Sequence, residues 1–166
     1  MMDNSLHTGK LRNMASVYLR NDDQVLLLYR KGSSIVSNHW IGSAGGHFEA
    51  NELNDAKTCV LRELYEELNL HPWQLKNLSL RYVTLRYTDG EIRQNYYFFA
   101  DIICELPKDM QSTEGTLQWF PLNGTSSLRM PFTARFMLDH YISIGQYDSC
   151  LYGGIADKET VTFLKL

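Results

Sequence analysis

The sequence predicts an α+β sandwich, a sheet covered by helices on both faces. Three observations predict it. Apolar segments of strand character recur along most of the chain, turn-forming pairs punctuate them, and two well-separated segments carry helical spacing instead.

Residues 14–20 and 24–30 read as two strands joined by a polar turn at Asn21-Asp22-Asp23. The unbroken run Val25-Leu26-Leu27-Leu28 indicates a strand covered on both faces. Residues 32–46 are rich in Gly, Ser and Asn and read as a loop ending in Gly45-Gly46. A helix follows over about residues 54–68, with Asn54 as N-cap. Asn69 is its left-handed C-terminal residue, and Pro72 follows shortly after.

Residues 75–88 and 91–106 are strand-rich, and Asp89-Gly90 between them is a strong hairpin signal. A short strand over 117–122 precedes a second helix over 130–144, where Phe132, Phe136, Met137 and Tyr141 recur at helical spacing. Residues 150–156 and 160–166 close the chain as a hairpin. The whole reads as one domain over 1–166, with a flexible N-terminal segment over 1–10.

Composition narrows the function classes. With 44% hydrophobic and 21% charged residues the chain is ordinary for a soluble protein. A net charge of -3 and dispersed basic residues argue against duplex nucleic acid as a partner, while leaving room for a small anionic substrate at a local site. The cysteines Cys59, Cys104 and Cys150 form no CxxC or zinc spacing and read as reduced structural thiols. No apolar run approaches the ~20 residues that span a bilayer, and the polar N-terminus lacks the apolar core of a secretory signal. The expectation is a cytoplasmic protein with no membrane partner. The oligomeric state is left open. His39, His47, His71 and His140 share no common spacing and are assigned no metal.

The chemistry concentrates between Gly45 and Leu70. On a helix, Glu63, Glu66 and Glu67 fall within roughly a 100° arc, while Leu61, Leu64 and Leu68 face the opposite side. Crowded carboxylates repel one another, and Arg62 alone cannot neutralise three of them. A solvated acidic face is the plain reading of such a cluster. A hard divalent cation with oxygen ligands is the functional one, and the upstream Gly-Gly loop favours it.

These residues resemble the signature of the Nudix hydrolase family, G-x5-E-x7-R-E-U-x-E-E-x-G-U, where U is a bulky aliphatic. Gly46 and Glu52 match the first half; Arg62, Glu63, Leu64, Glu66, Glu67 and Leu70 match the second. Nine residues separate Glu52 from Arg62 where the family has seven, and Asn69 replaces the late glycine. The resemblance, of MutT-like type, implies an α/β/α sandwich with a mixed central sheet. It also implies hydrolysis of a phosphoanhydride bond with Mg2+, for which Mn2+ is the substitute ion. By the same resemblance Glu63, Glu66 and Glu67 are metal ligands, with the Gly45 carbonyl as a candidate. Arg62 would orient the glutamates, and Glu52 would support the helix start or assist the water. Glu114, five residues before Trp119, fits a distal carboxylate ligand, and Arg30 fits a phosphate-contacting position.

Trp119, Phe132 and Tyr97 are aromatic candidates for stacking on a base, against the commoner role of core aromatics. The leading substrate expectation is an oxidised nucleoside triphosphate such as 8-oxo-dGTP, cut to monophosphate and pyrophosphate. Met130-Pro131-Phe132-Thr133 nevertheless lacks the paired acids of the Trp-Pro-Asp-Asp stretch in one such group. The loop Trp40-Ile41-Gly42-Ser43-Ala44 also lacks the Asn that those enzymes place before the glycines. A nucleotide sugar, a dinucleoside polyphosphate or an isoprenoid diphosphate is the alternative substrate. A non-catalytic nucleotide sensor is the alternative class.

Overall fold

The computed structural model describes residues 10–32 and 38–166. The segment expected to be a flexible N-terminus therefore lies outside the described residues, except Lys10, which opens the first strand.

The first hairpin forms as its pattern demands. Strand β1 (Lys10–Asn21) turns through Asp22, at φ 52°, into β2 (Gln24–Arg30). Val25, Leu26, Leu27 and Leu28 are all buried, so β2 is covered on both faces as its unbroken apolar run requires. The Gly/Ser/Asn-rich stretch is not loop throughout. It contains β3 (His39–Ile41), paired with β2, and β4 (Ala44–His47), paired with β1. Small residues are what allow this pairing. A Cβ on Gly45 would lie 2.5 Å from the Ala15 carbonyl oxygen, closer than any side chain tolerates.

Helix α1 (Ala56–Leu68) begins two residues later than expected. The N-cap is Asp55, whose carboxylate accepts from the Thr58 N–H. Asn54 instead takes φ 67°, where an asparagine is tolerated and most residues are strained. At the other end Asn69 sits in the left-handed region at φ 52°, ψ 35°, and its N–H caps the last turn. Asparagine does there what glycine does elsewhere.

Strands β5 (Leu75–Thr88) and β6 (Glu91–Ile102) form a long hairpin through Asp89 and Gly90, both at positive φ. Strand β7 (Gly115–Pro121) adds to β2, helix α2 (Phe132–Ser143) follows, and β8 (Tyr152–Ala156) with β9 (Val161–Lys165) closes the chain. Among the described residues nine strands join one sheet, in the order β3-β2-β1-β6-β5-β8-β9 with β4 and β7 attached to β1 and β2. The β1–β6 and β5–β8 pairs are parallel and the others antiparallel, so the sheet is mixed.

Strand alternation sends successive residues to opposite faces. Ala15, Val17 and Leu19 of β1 meet Cys59, Val60, Leu64 and Leu68 of α1. Tyr18, with Tyr97 and Phe99 of β6, meets Met137, Leu138 and Tyr141 of α2 on the other side. This is the α/β/α sandwich that the sequence implied.

Candidate active site

Two elements bring the signature residues together. Strand β4 carries Gly45 and Gly46 past the side of α1 that bears Glu63 and Glu67. A Cβ on Gly46 would lie 2.1 Å from Glu63 Oε1, so only glycine lets that carboxylate approach the strand. Glu67 Oε2 lies 3.4 Å from the Gly45 nitrogen, a long contact.

Arg62 is the organising cation. Its Nε and one terminal nitrogen grip the Glu52 carboxylate at 2.6 and 3.0 Å. The other terminal nitrogen reaches Glu63 at 2.8 Å and Glu66 at 3.1 Å. The terminal nitrogen that grips Glu52 also donates to the His47 carbonyl at 3.1 Å. Glu52 is 1% exposed and accepts the Glu49 N–H at 2.9 Å. Those hydrogen bonds, Arg62 first, hold its carboxyl at about 2, well below the usual carboxylate range. With nine residues between them, Glu52 and Arg62 are still in direct contact.

Glu67 stands in the opposite condition. Burial, with the neighbouring charges of Glu63 and Glu114, pushes its carboxyl up to about 8. Glu114 comes from the residue before β7, and it sits there because β7 approaches β2 closely: a Cβ on Gly115 would lie 2.1 Å from the Tyr29 carbonyl oxygen. Arg30, at the end of β2, pairs with Glu114 at 2.8 Å.

A cavity of about 520 Å³ opens over these groups. Gly45, Glu63, Glu67, Glu114, Arg30, Arg62, Tyr97 and Phe132 all line it. Glu52 and Glu66 do not: Glu52 is sealed behind Arg62, and the Glu66 side chain is 54% exposed on the outer side of α1. Trp119 is not brought to the cavity either. It packs against the core on the α1 face, so its aromatic surface serves the fold and the expectation of substrate contact gives way. Tyr97 is buried in the cavity floor with its hydroxyl 2.9 Å from the Thr133 hydroxyl.

The sequence reading missed Arg12, Arg86, Arg93, Asn95 and His47, which also line the cavity. Burial and the charges of Arg12 and Arg30 push the His47 imidazole below its ordinary pKa. A signal for two of the arginines was present. A two-residue turn at Asp89-Gly90 fixes the register Thr88–Glu91, and counting outwards places Arg86 opposite Arg93.

Carboxylate oxygens are the donors a hard divalent cation takes. Glu63, Glu67 and Glu114 present theirs to one cavity, while Arg62 and Arg30 engage Glu52, Glu63, Glu66 and Glu114; as they stand, no three such side chains among the described residues are gathered closely enough to hold an ion. The mixed sandwich and this carboxylate-lined cavity define a Nudix-type hydrolase. The chain belongs to the NUDIX domain family, whose model matches residues 10–140, and is a Nudix pyrophosphohydrolase. Members of that family generally use divalent metals.

Solved structures agree on the fold. A mutator MutT protein from Bacillus halodurans is 22% identical, with TM-score 0.63 over 93% of this chain and 97% of its own. The MutT protein from Methanosarcina mazei is 16% identical, with TM-score 0.67 over 84% and 98%. An Ap4A hydrolase from C. elegans is 19% identical, with TM-score 0.62 over 82% and 99%.

Proposed function

We propose that this protein hydrolyses a phosphoanhydride bond in a nucleoside diphosphate-linked substrate, with magnesium bound and manganese able to substitute. The observation that carries this reading is the convergence of Glu63, Glu67 and Glu114 on one cavity beside Gly45 and Gly46. Glu63, Glu67, Glu114 and the Gly45 carbonyl would hold the metal, with Glu66 adjoining on the same helix. When bound, the metal neutralises phosphate charge and acidifies a water.

The chain's own residues do the rest. Glu52 fixes Arg62, and Arg62 fixes Glu63, so the carboxylate is oriented before substrate arrives. Arg30, paired with Glu114 at 2.8 Å, would be free to meet a phosphate oxygen if Glu114 served the metal. Phe132 lines the cavity and, beyond the face that Arg86 covers, would offer its ring edge to the nucleoside. Of Glu52, Glu66 and Glu114, only Glu114 lines the cavity, which favours it to take the proton of the attacking water. Magnesium is the expected ion because a few carboxylates plus substrate phosphates suit it. Three free cysteines support a cytoplasmic setting.

Within this class, 8-oxo-dGTP remains the triphosphate to try first, in line with the MutT neighbours. The Ap4A hydrolase neighbour and the arginines of the cavity favour including conjugates with two substituted ends. The test is a turnover screen over nucleoside triphosphates, dinucleoside polyphosphates and nucleotide conjugates with magnesium in oxygen-18 water. Phosphate-containing products from at least one member, abolished by chelation, are expected. Nucleotide binding without any turnover would overturn the enzymatic reading in favour of a sensor.

A further inference from the structure

Three arginines of the cavity stand in one row across the sheet. Arg12 of β1 is the direct neighbour of Arg93 of β6, and Arg93 is the direct neighbour of Arg86 of β5. Cross-strand neighbours point to the same face, here the α2 face that forms the cavity floor. Like charges directly opposite one another destabilise a sheet, so three in register need an anion to offset them.

The protein sets two carboxylates against the three, both at long range. A single Glu91 carboxylate oxygen is shared by Arg12 at 3.4 Å and Arg93 at 3.3 Å, with the exposed Asp89 at 3.8 Å from Arg93. Among the described residues Arg86 makes no ion pair. Its guanidinium lies 4.1 Å over the Phe132 ring, a stacking that leaves its N–H edges free to donate.

The row is also set apart from the carboxylates. Gly45 and Gly46, beside Glu67 and Glu63, pair with Ser16 and Ala15 of β1, whereas the row crosses β1 at Arg12. Three to four residues of strand separate them, roughly 10–13 Å. A neutral base or sugar at this end would leave half-buried guanidinium charge unbalanced.

Resting on the hydrolase reading above, the geometry points to a substrate with two anionic ends: a diphosphate at the carboxylates, and a phosphomonoester or carboxylate held by Arg86 and Arg93 with Arg12 behind them. These arginines select the substrate and touch no reacting atom.

Two matched ligand pairs test this: coenzyme A against dephospho-coenzyme A, and UDP-glucuronate against UDP-glucose. Each pair differs in one anionic group remote from the diphosphate. Dissociation constants measured in EDTA exclude turnover, and magnesium assays then compare kcat/KM within each pair. The anionic member of at least one pair should bind about tenfold tighter or more, the scale of one charge-assisted pair. That ratio should fall towards one in Arg86→Gln and Arg93→Gln, and Arg86→Lys should retain part of it. Melting curves confirm that each variant folds. Equal binding within both pairs, or a preference that survives in both glutamine variants, overturns the inference. Turnover without the preference would leave the hydrolase reading standing alone; a binding preference without turnover would support the arginine site and count against hydrolysis.

Discussion

Glu52 and Glu67 are carboxylates of one signature, yet their surroundings drive them apart. Arg62 holds the Glu52 carboxyl at about 2, whereas burial and neighbouring carboxylates raise Glu67 to about 8. Glu52 is therefore a fixed anion whose work is positional. Its folded pKa lies below the unfolded value of about 4.3, so its stabilising contribution is present above that value and is lost as pH falls towards 2. Glu52→Gln keeps the volume but removes the charge that Arg62 grips. The variant should lose about 1–3 kcal/mol of stability at pH 7. The gap from wild type should narrow as pH falls from about 4.3 towards 2. Chemical denaturation at pH 7 and at pH 3 checks both statements; a gap that is constant with pH would show that the carboxylate charge is not what stabilises.

At the scale of elements, the two long hairpins and both helices were legible because their signals are local. Alternation, a two-residue turn and a cap each lie within a few residues of what they determine. The short strands β3 and β4 were not legible. Their evidence is long-range: Gly42 and Gly45 stand where a Cβ would strike the β1 backbone or side chains, which no local pattern reports. The start of α1 shows a finer limit. Asn54 and Asp55 are both good caps, and only the backbone decides between them. Asp55→Ala should therefore cost about 1 kcal/mol, while Asn54→Gly, at positive φ, should be neutral or slightly stabilising. Thermal melts of the two variants check this, and a loss at Asn54→Gly equal to that at Asp55→Ala would reverse the assignment.

The distal carboxylate belongs to this scale too. Glu114 reaches the cavity only because Gly115 lets β7 close on β2. Glu114→Gln should cut turnover about tenfold or more with little change in melting temperature, the pattern of a contact made in the transition state. Wild-type rates in that variant would leave Glu114 as the counter-ion of Arg30 alone.

Across the whole molecule, a net charge of -3 conceals a cavity with carboxylates at one end and an arginine row at the other. The carboxylate end was visible because Glu63 and Glu67 lie on consecutive turns of one helix and Glu114 stands at a fixed spacing from Trp119. The arginine end was only half visible: the hairpin turn sets Arg86 opposite Arg93, but Arg12 joins them only through the long-range β1–β6 pairing. Trp119 shows the converse: its place in the chain suggested a ligand, and packing against the α1-face core claims it instead.

Carboxylates crowded at Glu63 and Glu67 would serve metal-dependent hydrolysis at some expense of stability. Glu67→Gln tests it most directly, because it removes one carboxylate with almost no change in shape. Melting curves of both proteins at pH 7.5, in EDTA and in magnesium, are read beside a rate on the best substrate of the screen. In EDTA the variant should melt at or above wild type, because wild-type Glu67, raised to about 8, must take up a proton on folding at pH 7.5 and the amide need not. Magnesium should raise the wild-type melting temperature and the variant's much less. Turnover should fall by about two orders of magnitude or more. Magnesium stabilisation and turnover both intact in Glu67→Gln would contradict the claim.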